Sequence, residues 1–374
     1  MCIRDRVTPV AGPADNGRAR STQTDTNMKM MNIMTLVAGV LALYGCGDDT
    51  FEGSYVKPET PAIDKTAFVK GADVSWLTQM EKEGYTFKNT DGIEQECMSL
   101  LQDLGMNAIR LRVWVNPADG WNSREDVLVK ALRAKELGMR LMIDFHYSDT
   151  WADPGSQTIP AAWSSYDIEA MKQAVADHTV DVLSLLKEFD IEPEWVQVGN
   201  ETTDGMLWEL GRASRHPENY AALTTAGYDA VKSVFPEAQV IVHLDGGDRL
   251  GRYTNIFNIL KDNGGKFDMI GMSLYPSTTD WRSVTDNCIS NIKTLYDTYG
   301  KKLMICETGL EWNEEDTAYE FLSYLLSQTR ENTGGACLGV FYWEPQAAPG
   351  YNGGYNKGAF DANGTPTKAL DAFK

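Results

Sequence analysis

Two glutamates, Glu201 in Val-Gly-Asn-Glu and Glu307 in Met-Ile-Cys-Glu-Thr, each close a short apolar run of strand character that is followed by helical sequence. Carboxyl groups at two strand ends can act as a pair on a glycosidic bond. One attacks the sugar carbon, while the other protonates the departing oxygen and later activates water. Retaining glycosidases place such groups about 5–5.5 Å apart. Glu201 would end the fourth strand of the chain and Glu307 the seventh. In a closed eight-stranded barrel those ends face each other across the mouth. The spacing therefore points to sugar hydrolysis with retention.

Other residues could serve the same centre. Arg110 and Arg112 alternate along Asn-Ala-Ile-Arg-Leu-Arg-Val-Trp and should both face inward. A buried arginine needs an anion, and the nucleophilic carboxylate is the natural partner. Tyr275, which ends Gly-Met-Ser-Leu-Tyr-Pro, could hydrogen-bond Glu307. His146 and His243 end strands and are candidates for the site, whereas His178 falls in a helix and His216 precedes Pro217. Trp343 at the last strand end could form the floor for the cleaved sugar.

The elements that must position these groups are readable from periodicity. Strand runs are expected at Phe68–Val74, Ala108–Val115, Arg140–His146, Trp195–Asn200, Val240–Leu244, Met269–Leu274, Leu303–Glu307 and Leu338–Trp343. Helical patterns separate them, at Gly92–Leu104, Arg124–Leu137, Ile168–Phe189, Pro217–Val234, Gly251–Asn263, Val284–Tyr299 and Glu314–Arg330, with a last one at Lys368–Phe373. Strand and helix alternating in this way define an α/β chain with a single (β/α)8 TIM barrel over residues 66–374. A doubly wound sheet is disfavoured, since no Gly-x-Gly-x-x-Gly follows any strand. Two long loops, Tyr147–Tyr166 and Trp343–Pro366, are rich in aromatic, Gly, Asp and Pro residues and should wall a cleft.

Composition narrows the partners. With 374 residues and 43% hydrophobic content the chain can bury one large core. Its formal charge of −19 excludes nucleic acid and disfavours a polyanionic polysaccharide. A neutral polysaccharide carries no such penalty, and 10 Trp and 16 Tyr supply flat faces for sugar rings. Cys97, Cys288, Cys306 and Cys337 lack metal-like spacing and are expected as buried, unpaired thiols. The protein is expected to be a monomer.

The N-terminal part reads as an address. Residues 1–27 have no periodic apolar pattern and are expected to be a spurious or disordered extension. Residues 28–46 have a short basic start and about a dozen apolar residues, a secretory signal too short to span a bilayer. They end in Leu43-Tyr44-Gly45-Cys46, which resembles a bacterial lipobox, so Cys46 would carry the lipid. Gly47-Asp48-Asp49 resembles the acidic tag of surface lipoproteins of the Bacteroides group, and residues 47–65 would tether the domain. An outer-membrane lipoprotein facing the cell exterior is the resulting expectation.

Five runs carry a family resemblance: Gly71-Ala72-Asp73-Val74-Ser75, Arg110-Leu111-Arg112-Val113-Trp114, the stretch Asp144 to Pro154, Gln197-Val198-Gly199-Asn200-Glu201, and Val340-Phe341-Tyr342-Trp343-Glu344-Pro345. With them the chain resembles glycoside hydrolase family 53, the endo-β-1,4-galactanases, from Phe68 to Lys374. The resemblance implies Glu201 as acid/base, Glu307 as nucleophile, and β-1,4-galactan side chains of pectin as substrate. It further implies Asp73, Arg110, His146, Trp151, Asn200, Tyr275 and Trp343 as subsite residues, to which the strand-end position adds His243. Some bacterial members hold the segment after the seventh strand with calcium through Asp, His and Asn. Thr308–Asp316 here lacks that spacing, so no metal or other cofactor is expected from the residues, calcium being possible only through the resemblance. The alternatives are an endo-glycanase for mannan or xylan on the same barrel, and a non-catalytic surface glycan-binding lipoprotein.

Overall fold

The computed structural model describes residues 61–374. The signal, the lipobox with Cys46 and most of the tether lie outside the described residues. Eight parallel strands close on themselves in chain order. They are β1 (Val69–Asp73), β2 (Ala108–Val113), β3 (Arg140–Phe145), β4 (Trp195–Val198), β5 (Gln239–Leu244), β6 (Met269–Leu274), β7 (Lys302–Thr308) and β8 (Cys337–Trp343). β1 pairs with β8, so that Asp73 lies beside Trp343. The expected barrel is therefore the observed fold, each strand lying within two or three residues of its anticipated bounds.

Helices pack outside. α1 (Leu77–Lys82) was not anticipated, since six residues are too few for a periodic signal. α2 (Cys97–Asp103) starts later than Gly92, because Lys88 and Glu94 form an antiparallel bridge ahead of it. α3 (Arg124–Glu136), α4 (Ile168–Glu188), α5 (Pro217–Val234), α6 (Leu250–Asp262), α7 (Trp281–Tyr299) and α8 (Glu315–Asn332) fall where expected. Their starts are coded locally: Ser123 caps α3 through the amide of Asp126, Asp167 caps α4 through that of Ala170, and Pro217 opens α5. Lys368–Phe373 is a 3-10 helix rather than an α-helix.

Side-chain alternation builds the barrel interior in layers. Val69, Ala108, Met142, Trp195, Ile241, Met269, Met304, Cys306 and Phe341 form one closed apolar cluster. Moving an even number of residues toward the carboxyl end of a strand returns to the same face. On β1 to β6 that step leads to Asp73, Arg110, Asp144, Gln197, His243 and Ser273, all buried. A polar layer thus lies directly on an apolar plug. Phe341 fits the plug because residue 71 is glycine, where a Cβ would stand 2.2 Å from the Phe341 ring.

β7 breaks the alternation. Glu307 lies an odd number of residues beyond Met304 and would point outward from a regular strand. The pairing slips between Met272 and Ser273: Met272 opposes Ile305, and Ser273 opposes Glu307. One extra residue on β7 turns Glu307 back to the polar layer. The four cysteines Cys97, Cys288, Cys306 and Cys337 are buried and free, as anticipated.

Candidate active site

Above the polar layer opens a cavity of about 500 Å³. Glu201, Glu307, His146, Trp151, Asn200, Tyr275 and Trp343 all line it. Asp73, Arg110 and His243, expected to reach substrate, stand behind these and act on the cavity through them. The two long loops supply walls through Trp151 to Pro154 and through Tyr355 and Lys357, and the loop after β5 adds Asp245, Gly246, Asp248 and Arg249, which sequence reasoning had not placed there.

Arg110 organises the layer. Its guanidinium makes four hydrogen bonds and one further ion pair. Nε donates to Gln197 Oε1 at 2.7 Å; Nη1 donates to Asp73 Oδ2 at 2.7 Å and forms an ion pair with Glu307 Oε1 at 2.9 Å; Nη2 donates to Asp144 Oδ2 at 2.9 Å and Asn200 Oδ1 at 3.0 Å. Three carboxylates around one cation leave the layer negative. Burial opposes charge on Asp144, but Arg110 and then His146 hold its carboxyl down to about 2. His146 donates from Nε2 to Asp144 at 3.0 Å, while its Nδ1 accepts from the Trp114 indole at 3.2 Å and the Ala152 amide at 3.1 Å. Those two donors fix the tautomer and lock the loop carrying Trp151 to the layer below.

The two glutamates have unlike surroundings. Glu307 takes Arg110 on one oxygen and, on the other, the Tyr275 hydroxyl at 3.0 Å. Burial pushes its carboxyl up to about 7, with Arg110 opposing and Asp144 and Asp73 adding to the rise. Among the described residues the Glu201 carboxyl has a single hydrogen-bond partner, the Ser273 hydroxyl at 2.6 Å. Burial first, then the charge of Glu307, pushes Glu201 well above the ordinary carboxyl value. Two carboxyls that share a site ionise in sequence. A permanent cation and a hydroxyl donor converge on Glu307, so the first negative charge belongs there and Glu201 keeps its proton. The Glu201 backbone is left-handed, with φ 45°, and follows Gly199 at φ 86°. A side chain at 199 would meet Thr202 at 2.5 Å. The turn is strained to aim Glu201 into the cavity.

Arg112 does not reach Glu307, contrary to the reading of both arginines as partners of the nucleophile. Its Nη1 pairs at 2.6 Å with Glu344, a fully buried carboxylate just past β8. Glu344 also accepts from the Trp76 amide at 3.1 Å and from Gln346 Nε2 at 2.6 Å. Above this pair the Arg112 guanidinium lies 4.3 Å from the centre of the Trp151 ring, a cation–π contact. Trp151 meets Trp343 edge-on at 5.9 Å, and Trp343 meets Tyr355 at 4.9 Å. The ion pair is thus the base of an aromatic platform. Sequence reasoning missed Glu344, Asp144, Gln197 and Ser273 as working residues, although strand alternation from Met142, Trp195 and Met269 marks the last three.

The segment after β7 does not fit calcium. Glu311 is paired with Lys357 Nζ at 2.5 Å, Asp316 is paired with Lys368, and Glu315 accepts from the Lys368 amide at 3.2 Å. Two ammonium groups and one backbone amide hold oxygens that a hard cation would need.

The model for glycosyl hydrolase family 53 matches residues 69–373. An endo-beta-1,4-galactanase of Bacillus subtilis is 34% identical over 311 residues, covering 75% of this chain and 71% of its own. An arabinogalactan endo-beta-1,4-galactanase A of Emericella nidulans is 34% identical over 302 residues, covering 74% and 84%. Among solved structures, one from a study of two fungal beta-1,4-galactanases superposes with a TM-score of 0.75 at 30% identity, over 82% of this chain and 99% of that one.

Proposed function

The chain belongs to glycosyl hydrolase family 53 and is a glycosidase, and from that premise we propose that it cleaves internal β-1,4-galactosidic bonds of galactan with retention. Glu307 attacks the anomeric carbon as Glu201 gives its proton to the glycosidic oxygen, so the chain on the leaving side departs as an alcohol. Glu201, now a carboxylate, takes a proton from water, and that water releases the sugar from Glu307. The observation that carries these roles is the asymmetry of donors. Arg110 and Tyr275 stabilise charge on Glu307, whereas only a hydroxyl faces Glu201.

The aromatic platform of Trp151 and Trp343 suits the apolar face of a neutral galactosyl ring, and the negative layer beneath disfavours uronic acids. On purified galactan, arabinogalactan, mannan and xylan, we expect rapid loss of viscosity on the first two only. The first-formed reducing end should be β-configured. An α-configured first product contradicts retention, and cleavage of mannan or xylan instead assigns the barrel to another substrate. Binding of galactan without cleavage would make it a glycan-binding protein.

We also propose that Cys46 is lipidated and holds a monomeric enzyme on the outer surface of the outer membrane. Replacing Cys46 by Ala should release active enzyme into the medium, since the barrel begins only at Val69. Retention of that variant in the membrane fraction contradicts the anchor.

A further inference from the structure

Behind Glu201 runs a chain of hydrogen bonds whose donor directions are fixed as far as His243, leaving one hydroxyl to assign. Asn200 donates from Nδ2 to the Ala152 carbonyl at 2.8 Å and accepts on Oδ1 from Arg110 at 3.0 Å. Arg110 cannot accept and a carbonyl cannot donate, so the amide cannot be flipped. His243 Nδ1 lies 3.0 Å from the same Oδ1 and must therefore carry a hydrogen. His243 is fully buried on β5. It faces Arg110 on β2, Asp144 on β3, His146 just past β3, and Ser273 on β6. Burial first, then the Arg110 cation, holds it neutral by lowering its pKa well below the ordinary value. Its Nε2 is then bare, 2.9 Å from Ser273 Oγ.

A serine has one hydroxyl hydrogen. If Ser273 gives it to His243 Nε2, Oγ can only accept at Glu201, 2.6 Å away. The hydrogen in that contact must then come from Glu201. We propose that His243 and Ser273 are positioning residues, forming a directed relay from Arg110 and Asn200 that holds Glu201 in its protonated, acid form. The proposal rests on the acid/base role of Glu201 given above. Once Glu201 has lost its proton, Ser273 turns its hydroxyl to the new carboxylate and leaves His243 Nε2 without a donor. Ionising Glu201 therefore costs a buried hydrogen bond at a residue that never touches substrate. Burial, Glu307 on β7 and Asp245 after β5 oppose charge on Glu201 as well, whereas a Ser273 hydroxyl turned to the carboxylate, and then Arg110, favour it.

The relay predicts a tautomer that can be read without turnover. The chain has four histidines, so 15N spectra of the histidine-labelled enzyme near neutral pH can be assigned with few variants. His243 should be neutral, with hydrogen on Nδ1 and a bare Nε2. Hydrogen on Nε2, alone or together with Nδ1, overturns the relay whatever the fate of the catalytic assignment. The second reading is the pH profile of kcat/KM, whose descending limb reports loss of the Glu201 proton. In His243→Leu the serine is free to donate to the carboxylate, which should move that limb down by about one pH unit, the worth of one hydrogen bond. A limb that stays in place or moves up overturns the relay. Should the leucine variant fail to fold, the tautomer in the unaltered enzyme still decides.

Discussion

Replacing Glu307 by Gly is expected to lower kcat by at least about 10³-fold, and azide is expected to restore turnover of an activated galactoside with an α-galactosyl azide as product. Glycine leaves a space on the face from which Glu307 attacks. Azide entering there displaces the leaving group once, and the configuration inverts. Glu201 remains to protonate the departing oxygen. Replacing Glu201 by Ala should also cost several orders of magnitude on polymer, but azide should then give the β-azide, since Glu307 still forms the covalent intermediate. The two products of opposite configuration separate the roles. Near-full activity in either variant, or the reverse pairing of configurations, sinks the assignment.

Arg110 should show the next largest effect. Lysine keeps the charge but offers three donors to five acceptors, and an ammonium cannot present them in the guanidinium's plane. We expect Arg110→Lys to lose about 10²-fold in kcat/KM, with Asn200 and Gln197 left short of a donor. Arg110→Met removes the cation and leaves Asp73, Asp144 and Glu307 buried together, and should lower stability by about 3–5 kcal/mol in urea titrations. The pH dependence has a definite sign. Arg110 lowers the pKa of Glu307, and attack requires the carboxylate. Loss of the cation raises that pKa, so the ascending limb of kcat/KM moves to higher pH. A limb that moves to lower pH would falsify the electrostatic role.

Much of this site is local information. Strand ends, the alternation that buries Arg110, and helix starts at Ser123, Asp167 and Pro217 depend on neighbours a few residues away, so Glu201, Glu307 and the barrel were legible. Partners across the barrel are not local. Arg112 and Glu344 are separated by 232 residues, and nothing in either segment says that Arg112 turns to β8 rather than β7. Glu344 follows a strand-end tryptophan and looks like a third catalytic carboxylate, yet it is sealed beneath the platform. The slip in β7 is equally hidden. Regular alternation would place Glu307 outside, and only the pairing with β6 reveals the extra residue.

The seam between β1 and β8 bears on synthesis. Asp73 and Trp343 are neighbours in the finished barrel but stand near opposite ends of the catalytic segment. A chain still emerging from the ribosome can pair β1 with β2 and then each later strand with the one before it, yet it keeps an open edge until Trp343 has appeared. Arg110 meanwhile has partners on β1, β3 and β7, so the charged layer can settle only late. An incomplete chain is therefore a curled sheet with unpaired charges at its mouth. Such a chain cannot complete its site, and activity appears only once the last strand has docked.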